Sequence, residues 1–211
     1  MPQDKDKALE LYRQAAEQEF APAQCRLGFF YYHGIAVEEN NEEAARLFAL
    51  AAEQGYPRAQ ALLGECYDLG CGVKKDEKRA AELYRAAHEM GYAPATCSLA
   101  LCYETGTGVE QDKTKAAQLY RQAAEQGDAR SQCNLGYCYY RGIGVDEDND
   151  KAAEWFAKSA HQGHPRAISL LGECYDLGYG VKKDEKKAAE LYRSAHELGY
   201  APATRSLALC Y

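Results

Sequence analysis

Hydrophobic and polar positions along this chain follow one cycle of 36 residues. An Asn or Asp opens each turn of it, at Asp4, Asn40, Asp76, Asp112, Asp148 and Asp184, with no insertion anywhere. After each comes an alanine-rich segment, such as KALELYRQAAEQ from Lys7, RAAELYRAAHEM from Arg79 or KAAEWFAKSAHQ from Lys151. Apolar residues recur there at helical spacing, as at Ala80, Leu83, Tyr84 and Ala87, and the acidic or amide residue in front is placed to cap the first turn. Gly55, Gly91, Gly127, Gly163 and Gly199 close these helices, with Glu19 in the same place in the first copy. Between them lie partner segments, such as RAQALLGECYDLGCGV from Arg58 and RSQCNLGYCYYRGIGV from Arg130, each ending in a Gly-x-Gly-Val turn such as Gly70, Gly72 and Val73. The pattern predicts two antiparallel helices per cycle joined by short turns, and a chain built as an array rather than around one central core.

The array reads Leu-Gly-x-x-Tyr-x-x-Gly-x-Gly-Val, then Asp, then Lys-Ala-Ala-x-x-(Leu/Trp)-(Tyr/Phe)-x-x-Ala-Ala-x-x-Gly. It resembles the Sel-one-like repeats, relatives of the tetratricopeptide repeats, over essentially the whole chain. Ala100 and Ala208 depart from the pattern at the helix glycine, and Ala36 at a loop glycine. The expected fold is all-α, a right-handed α-solenoid of stacked antiparallel helix pairs. The expected organisation is one array over residues 1–211, with partial repeats at both ends because the chain opens in a second helix and stops at Tyr211 inside a first one.

Within each first helix, counting its opening residue as zero, positions one, two, five, eight and nine fall on one side and hold recurring small or apolar residues, among them Ala59, Leu63, Cys66 and Tyr67. That side is the expected core. Positions three, seven, ten and eleven face away and vary from copy to copy, and the resemblance implies that they line a concave surface that binds partners. The expected partner-binding residues are Phe29, Tyr32 and His33, then Glu65, Asp68 and Leu69, then Leu101 and Glu104 beside Thr105. Tyr137, Tyr140 and Arg141 follow, then Glu173 and Asp176 beside Leu177. Aromatic and acidic rows therefore recur with a three-copy pitch. Residues 58–103 match 166–211 at 39 of 46 positions, so duplication of a three-repeat unit alone accounts for that pitch. Carboxylates next to tyrosines suit a basic or extended peptide.

The formal charge of −7 argues against a phosphate-binding surface and hence against nucleic acid. No apolar run is long enough for a membrane span, and MPQDKDKALE carries no apolar signal core. Among the nine cysteines, Cys66, Cys102, Cys138, Cys174 and Cys210 share one core-edge column, where stacked helices would hold them roughly 9–10 Å apart, beyond the ~7 Å limit for bridging. Some cysteine-rich members of the resembled family join the two helices by a disulfide. That would need a second cysteine where this chain has Ala16, Ala52, His88, Ala124, Ala160 and His196. Cys25, Cys97 and Cys133 fall in the groove column and are expected to be exposed. Nine free thiols imply a reducing, cytoplasmic compartment.

His161 and His164 form His-x-x-His across a helix end, and His88 precedes Cys97, but neither pair offers three convergent ligands, so neither a metal nor another cofactor is expected. No nucleophile, zinc-protease or phosphate-loop motif occurs, and the carboxylate pairs Glu65/Asp68 and Glu173/Asp176 lack an enclosing pocket, so no catalytic residue is assigned. The expected function is a non-enzymatic scaffold or adaptor holding a peptide or protein. The alternative, taken from the cysteine-rich relatives, is recognition of a peptidoglycan or β-lactam-like small ligand, with or without slow hydrolysis. Self-association through the Tyr211 end is a third reading.

Overall fold

A computed structural model describes residues 4–210. Twelve helices and no strand occur among them. In chain order they are α1 (Lys5–Glu17), α2 (Ala21–His33), α3 (Asn41–Glu53), α4 (Pro57–Leu69), α5 (Glu77–Glu89), α6 (Ala93–Thr105), α7 (Lys113–Glu125), α8 (Ala129–Arg141), α9 (Asn149–His161), α10 (Pro165–Leu177), α11 (Glu185–Glu197) and α12 (Ala201–Leu209). The chain divides into two compact units, Met1–Gln111 and Asp112–Tyr211. Each is a segment of α-solenoid in which every helix packs on its sequence neighbours, so both are stacks of helix pairs. Even-numbered helices are the first helices of the pairs and odd-numbered ones the alanine-rich second helices.

The local rules behind this are the ones the pattern suggested. All six alanine-rich helices begin at the expected Asn or Asp, whose side-chain oxygen accepts the backbone N–H three residues on, as Asp76 does from Arg79 at 3.0 Å. Glycine follows five of them in the left-handed region, and Glu19 adopts the same region at φ 60° after the first. Five first helices carry Pro in their opening turn, where its missing N–H leaves no bond unmade.

Packing then depends on two positions per repeat that most copies fill with glycine, Ala100 and Ala208 standing at the first and Ala36 at the second. Gly28, Gly64, Gly136 and Gly172 lie under the rings of Phe48, Tyr84, Phe156 and Tyr192, each twenty residues later on the partner helix. A Cβ there would meet the ring at 2.7–2.9 Å, so the pair can close only because none is present. The second glycine of the turn after the first helix has positive φ and sits against the start of the preceding alanine-rich helix. Added to Gly72 or Gly108, a Cβ would overlap the carbonyl of Asn41 or Glu77, and in the other unit Gly144 and Gly180 meet Lys113 and Asn149 in the same way. The first copy has Ala36 at that place, held at φ 56°.

The cores are strips of alanine, leucine and ring carbons. Ala44, Phe48, Ala51, Ala59, Leu63 and Cys66 cluster in one unit, and Ile168, Ala195 and Ala203 in the other. All nine cysteines are free thiols. Cys66, Cys102, Cys138 and Cys174 are buried as expected, whereas Cys210 is exposed. Tyr211 itself lies outside the described residues. Cys25, Cys97 and Cys133 correct the sequence reading: all three are buried, at 5% exposure or less, because their column turns toward the neighbouring helices rather than into the open.

A ladder of amides ties neighbouring pairs together. Gln24 donates to the Ala16 carbonyl at 3.5 Å and accepts from Gln54 at 2.8 Å, and in the other unit Gln132 donates to Ala124 and accepts from Gln162. At Gln60 the donor position thirty residues on is Met90, so the Gln60 side-chain oxygen is buried with no partner. The duplicated copy has Ile168 there and leaves no such group.

Four outcomes follow from this packing. Gly172→Ala should lower stability by about 1–3 kcal/mol through overpacking against Tyr192, and Ala36→Gly should raise it by about 1 kcal/mol by relieving a left-handed alanine, both read from urea melts. Met90→Gln should raise stability by about 1 kcal/mol by supplying the missing donor, while the same change at Leu198 should not. In the native state, alkylation followed by mass spectrometry should label Cys71 and Cys210 and spare Cys25, Cys66, Cys97, Cys133 and Cys174. Burial also pushes the thiols of Cys25 to about 11 and of Cys66 and Cys174 to about 12, which keeps them protonated.

Candidate functional site

The first helices present a stripe of exposed and half-buried side chains along the line of positions zero, four, seven and eleven. It reads Arg58, Leu62, Glu65 and Leu69 on α4 and Arg166, Leu170, Glu173 and Leu177 on α10. Position three, occupied by Cys25, Cys97, Cys133 and Ser169, is buried instead. The outward face is thus turned by roughly 40° from the one that column variability suggested.

In the first unit the expected residues gather on neighbouring helices. Phe29 and His33 stack with ring centroids 4.2 Å apart, and Tyr32 meets His33 edge-on at 5.0 Å. Tyr32 also rests on the buried ring of Phe48 at 6.5 Å, so the exposed aromatic layer is seated on the core. Burial, with Glu65 and Cys71 beside it, pushes the Tyr32 hydroxyl up to about 12. Two guanidiniums cover Phe29, Arg26 from its own helix at 5.7 Å and Arg58 from α4 at 6.0 Å. Glu65 and Leu69 are exposed on α4 and Asp68 is half-buried. Leu101 is half exposed on α6, and the Glu104 carbonyl accepts a bond from Gln111 at 2.8 Å.

The second unit repeats the arrangement with different residues. Tyr137 and Tyr140 lie 6.4 Å apart, and Tyr140 touches the buried Phe156 at 6.4 Å and the exposed Tyr179 at 6.0 Å. The Tyr140 hydroxyl donates to Glu173 at 3.0 Å, and burial together with that bond pushes it up to about 12, so it stays a donor at neutral pH. Arg166 lies 4.9 Å from the Tyr137 ring and donates to Asn134 at 3.1 Å. Asp176 is half-buried near this edge and Arg141 is exposed at the end of α8.

Arg26, Arg58, Arg166 and Asn134 are the residues that column reading missed. For Arg58 and Arg166 the signal was an arginine in the opening turn of a first helix, a position that was assigned neither to the core nor to the groove. The histidines have local structural partners: the His164 ring accepts the Ala167 N–H at the start of α10, and His88 and His196 bond Thr96 and Thr204 at 2.9 and 2.8 Å. Among the described residues no three His, Cys, Asp or Glu side chains converge as metal ligands. No helix there is long and apolar enough to cross a membrane.

The Sel1 repeat pattern matches residues 1–20, 21–56, 57–92, 93–128, 129–164 and 165–200. No curated protein matches the chain closely enough to count as a relative. Among solved structures, a Sel1 repeat protein from Oxalobacter formigenes is 31% identical and superposes with a TM-score of 0.84, over 95% of this chain and 85% of the other. The c5321 protein, a protective antigen present in uropathogenic Escherichia coli strains and displaying an SLR fold, is 36% identical with a TM-score of 0.78 over 99% of this chain, which spans 44% of that protein. Helicobacter pylori cysteine rich protein B is 30% identical over 64% of this chain and 97% of its own, with a TM-score of 0.50. The chain belongs to the Sel1 repeat family.

Proposed function

We propose that the chain is a non-catalytic scaffold that holds a peptide or protein partner on the outward face of its first helices. Sel1 repeat proteins generally serve as protein-interaction scaffolds, which supports the class of function. The observation that carries the site is the aromatic layer flanked by unpaired charges. Phe29, Tyr32, Tyr137 and Tyr140 are held on buried rings or under guanidiniums, while Arg58, Glu65, Asp68 and Asp176 have no ion-pair partner within 4.0 Å among the described residues. Rigid aromatic side chains with few torsions give contact area at low entropic cost, and arginine and tyrosine are the residue types that dominate binding energy at interfaces. The stripe extends over successive helices, which suits an extended partner better than a small ligand. The nine free thiols fit a reducing compartment, and we place the protein in the cytoplasm on that ground.

Affinity capture from native lysate tests the reading, with the chain compared with a variant carrying alanine at Glu65, Asp68, Glu173 and Asp176. These are surface positions, so the variant should melt within about 0.5 kcal/mol per site of the parent. A captured protein whose retention falls about tenfold or more in the variant is the expected result. Equal retention by both would remove the carboxylate rows from the site.

A further inference from the structure

The stripe is electrically polar, and the polarity runs against what helix stability asks for. On α4 the arginine stands in the first turn, at Arg58, and the carboxylates near the end, at Glu65 and Asp68. On α10 the order is the same, with Arg166 followed by Glu173 and Asp176. A helix dipole favours acids at its start and bases at its end, by about 0.3–1 kcal/mol each. Five of the six alanine-rich helices place acids in their first turns, at Asp6, Glu42 and Glu43, Glu77, Asp150 and Glu185, and α7 has none there. The two first helices that invert it do so only on the outward face, where the charges add to the helix dipole instead of opposing it.

The geometry makes this a pair of opposite seats. Arg58 and Glu65 are seven residues apart, which sets them about 10 Å apart along the axis and only about 20° apart around it. Arg166 and Glu173 have the same separation. Arg26 joins Arg58 over the Phe29 ring at the positive end of the first unit, and Arg166 lies over Tyr137 in the second. None of these three guanidiniums meets a carboxylate within 4.0 Å among the described residues. Stacking on a ring leaves the donors of Arg26 and Arg58 open to a planar bidentate anion, while Arg166 also holds Asn134 through one nitrogen at 3.1 Å.

We propose that each unit recognises an extended peptide segment with acidic side chains along one edge and basic side chains along the other, the acids meeting Arg58 or Arg166 and the bases meeting Glu65 and Asp68 or Glu173 and Asp176. In an extended chain successive side chains point to opposite sides, so alternating acidic and basic residues produce this edge pattern. A uniformly basic segment would place cations against the arginines, a like-charge contact that selects against it. The inference rests on the scaffold reading above and narrows its partner.

Fluorescence anisotropy with the full chain at low ionic strength tests it, using three labelled peptides of equal length: alternating Glu-Lys, oligolysine and oligoglutamate. The alternating peptide should bind about tenfold tighter than either homopolymer. The double variant Arg58→Glu, Arg166→Glu, shown to be folded by circular dichroism, should weaken the alternating peptide by about tenfold or more and strengthen oligolysine. Oligolysine binding the parent as tightly as the alternating peptide overturns the inference, as do an unchanged affinity in the double variant and the absence of binding by all three peptides. If the inference falls while a captured protein is still lost from the four-carboxylate variant, the scaffold reading stands. If that capture is indifferent as well, both fall.

Discussion

The stack depends on close approach of backbone to neighbour at two positions in each repeat, held by glycine in most copies. One brings the paired helices together by leaving room for a ring, as Gly136 does for Phe156, and the other lays a turn on the first residues of the preceding helix, as Gly144 does on Lys113. Side chains then fill space that these contacts have already defined. This fits alanine as the commonest core residue: where helices approach this closely a methyl group fills the gap, with leucines and one ring packed beside it. It also explains why the outward face is free to vary, since no contact on it is needed to position the helices.

Much of this was legible in the sequence, for a physical reason. A cap, a closing glycine and an apolar period are local signals, and each of the six caps from Asp4 to Asp184 forms the bond its position implied. What was not legible is the rotation of each first helix. Variation among copies picked the column of Cys25, Cys97 and Cys133 as outward-facing, but a residue can vary in a core strip as long as it stays small, and cysteine, alanine and serine alternate there. Arg58 and Arg166 stand on the outward line at the opening position, which the column reading assigned to neither face. The aromatic and acidic residues were named because positions seven, ten and eleven, which hold them, differ from copy to copy.

The outward stripe joins two demands that usually compete. Tyr32 and Tyr140 rest on Phe48 and Phe156, which belong to the core, so packing fixes where these rings stand on the outward face. Its charges are unpaired, which costs little in water but leaves them available. The hydroxyl of Tyr140, held on Glu173, links the aromatic layer of one helix to the acidic end of the next within the second unit.

The turn that carries the second glycine has a consequence for how such an array can change. Its contact is with a main-chain carbonyl, and every residue type supplies the same carbonyl, as the different partners Asn41, Glu77, Lys113 and Asn149 show. This contact does not read side chains, so it survives the copying or exchange of whole repeats, and only the amide ladder of the seam is sensitive to what is exchanged, as Gln60 opposite Met90 shows. The vocabulary of the binding face is then set by which repeats are placed in series, and its grammar by a spacing that the backbone alone enforces.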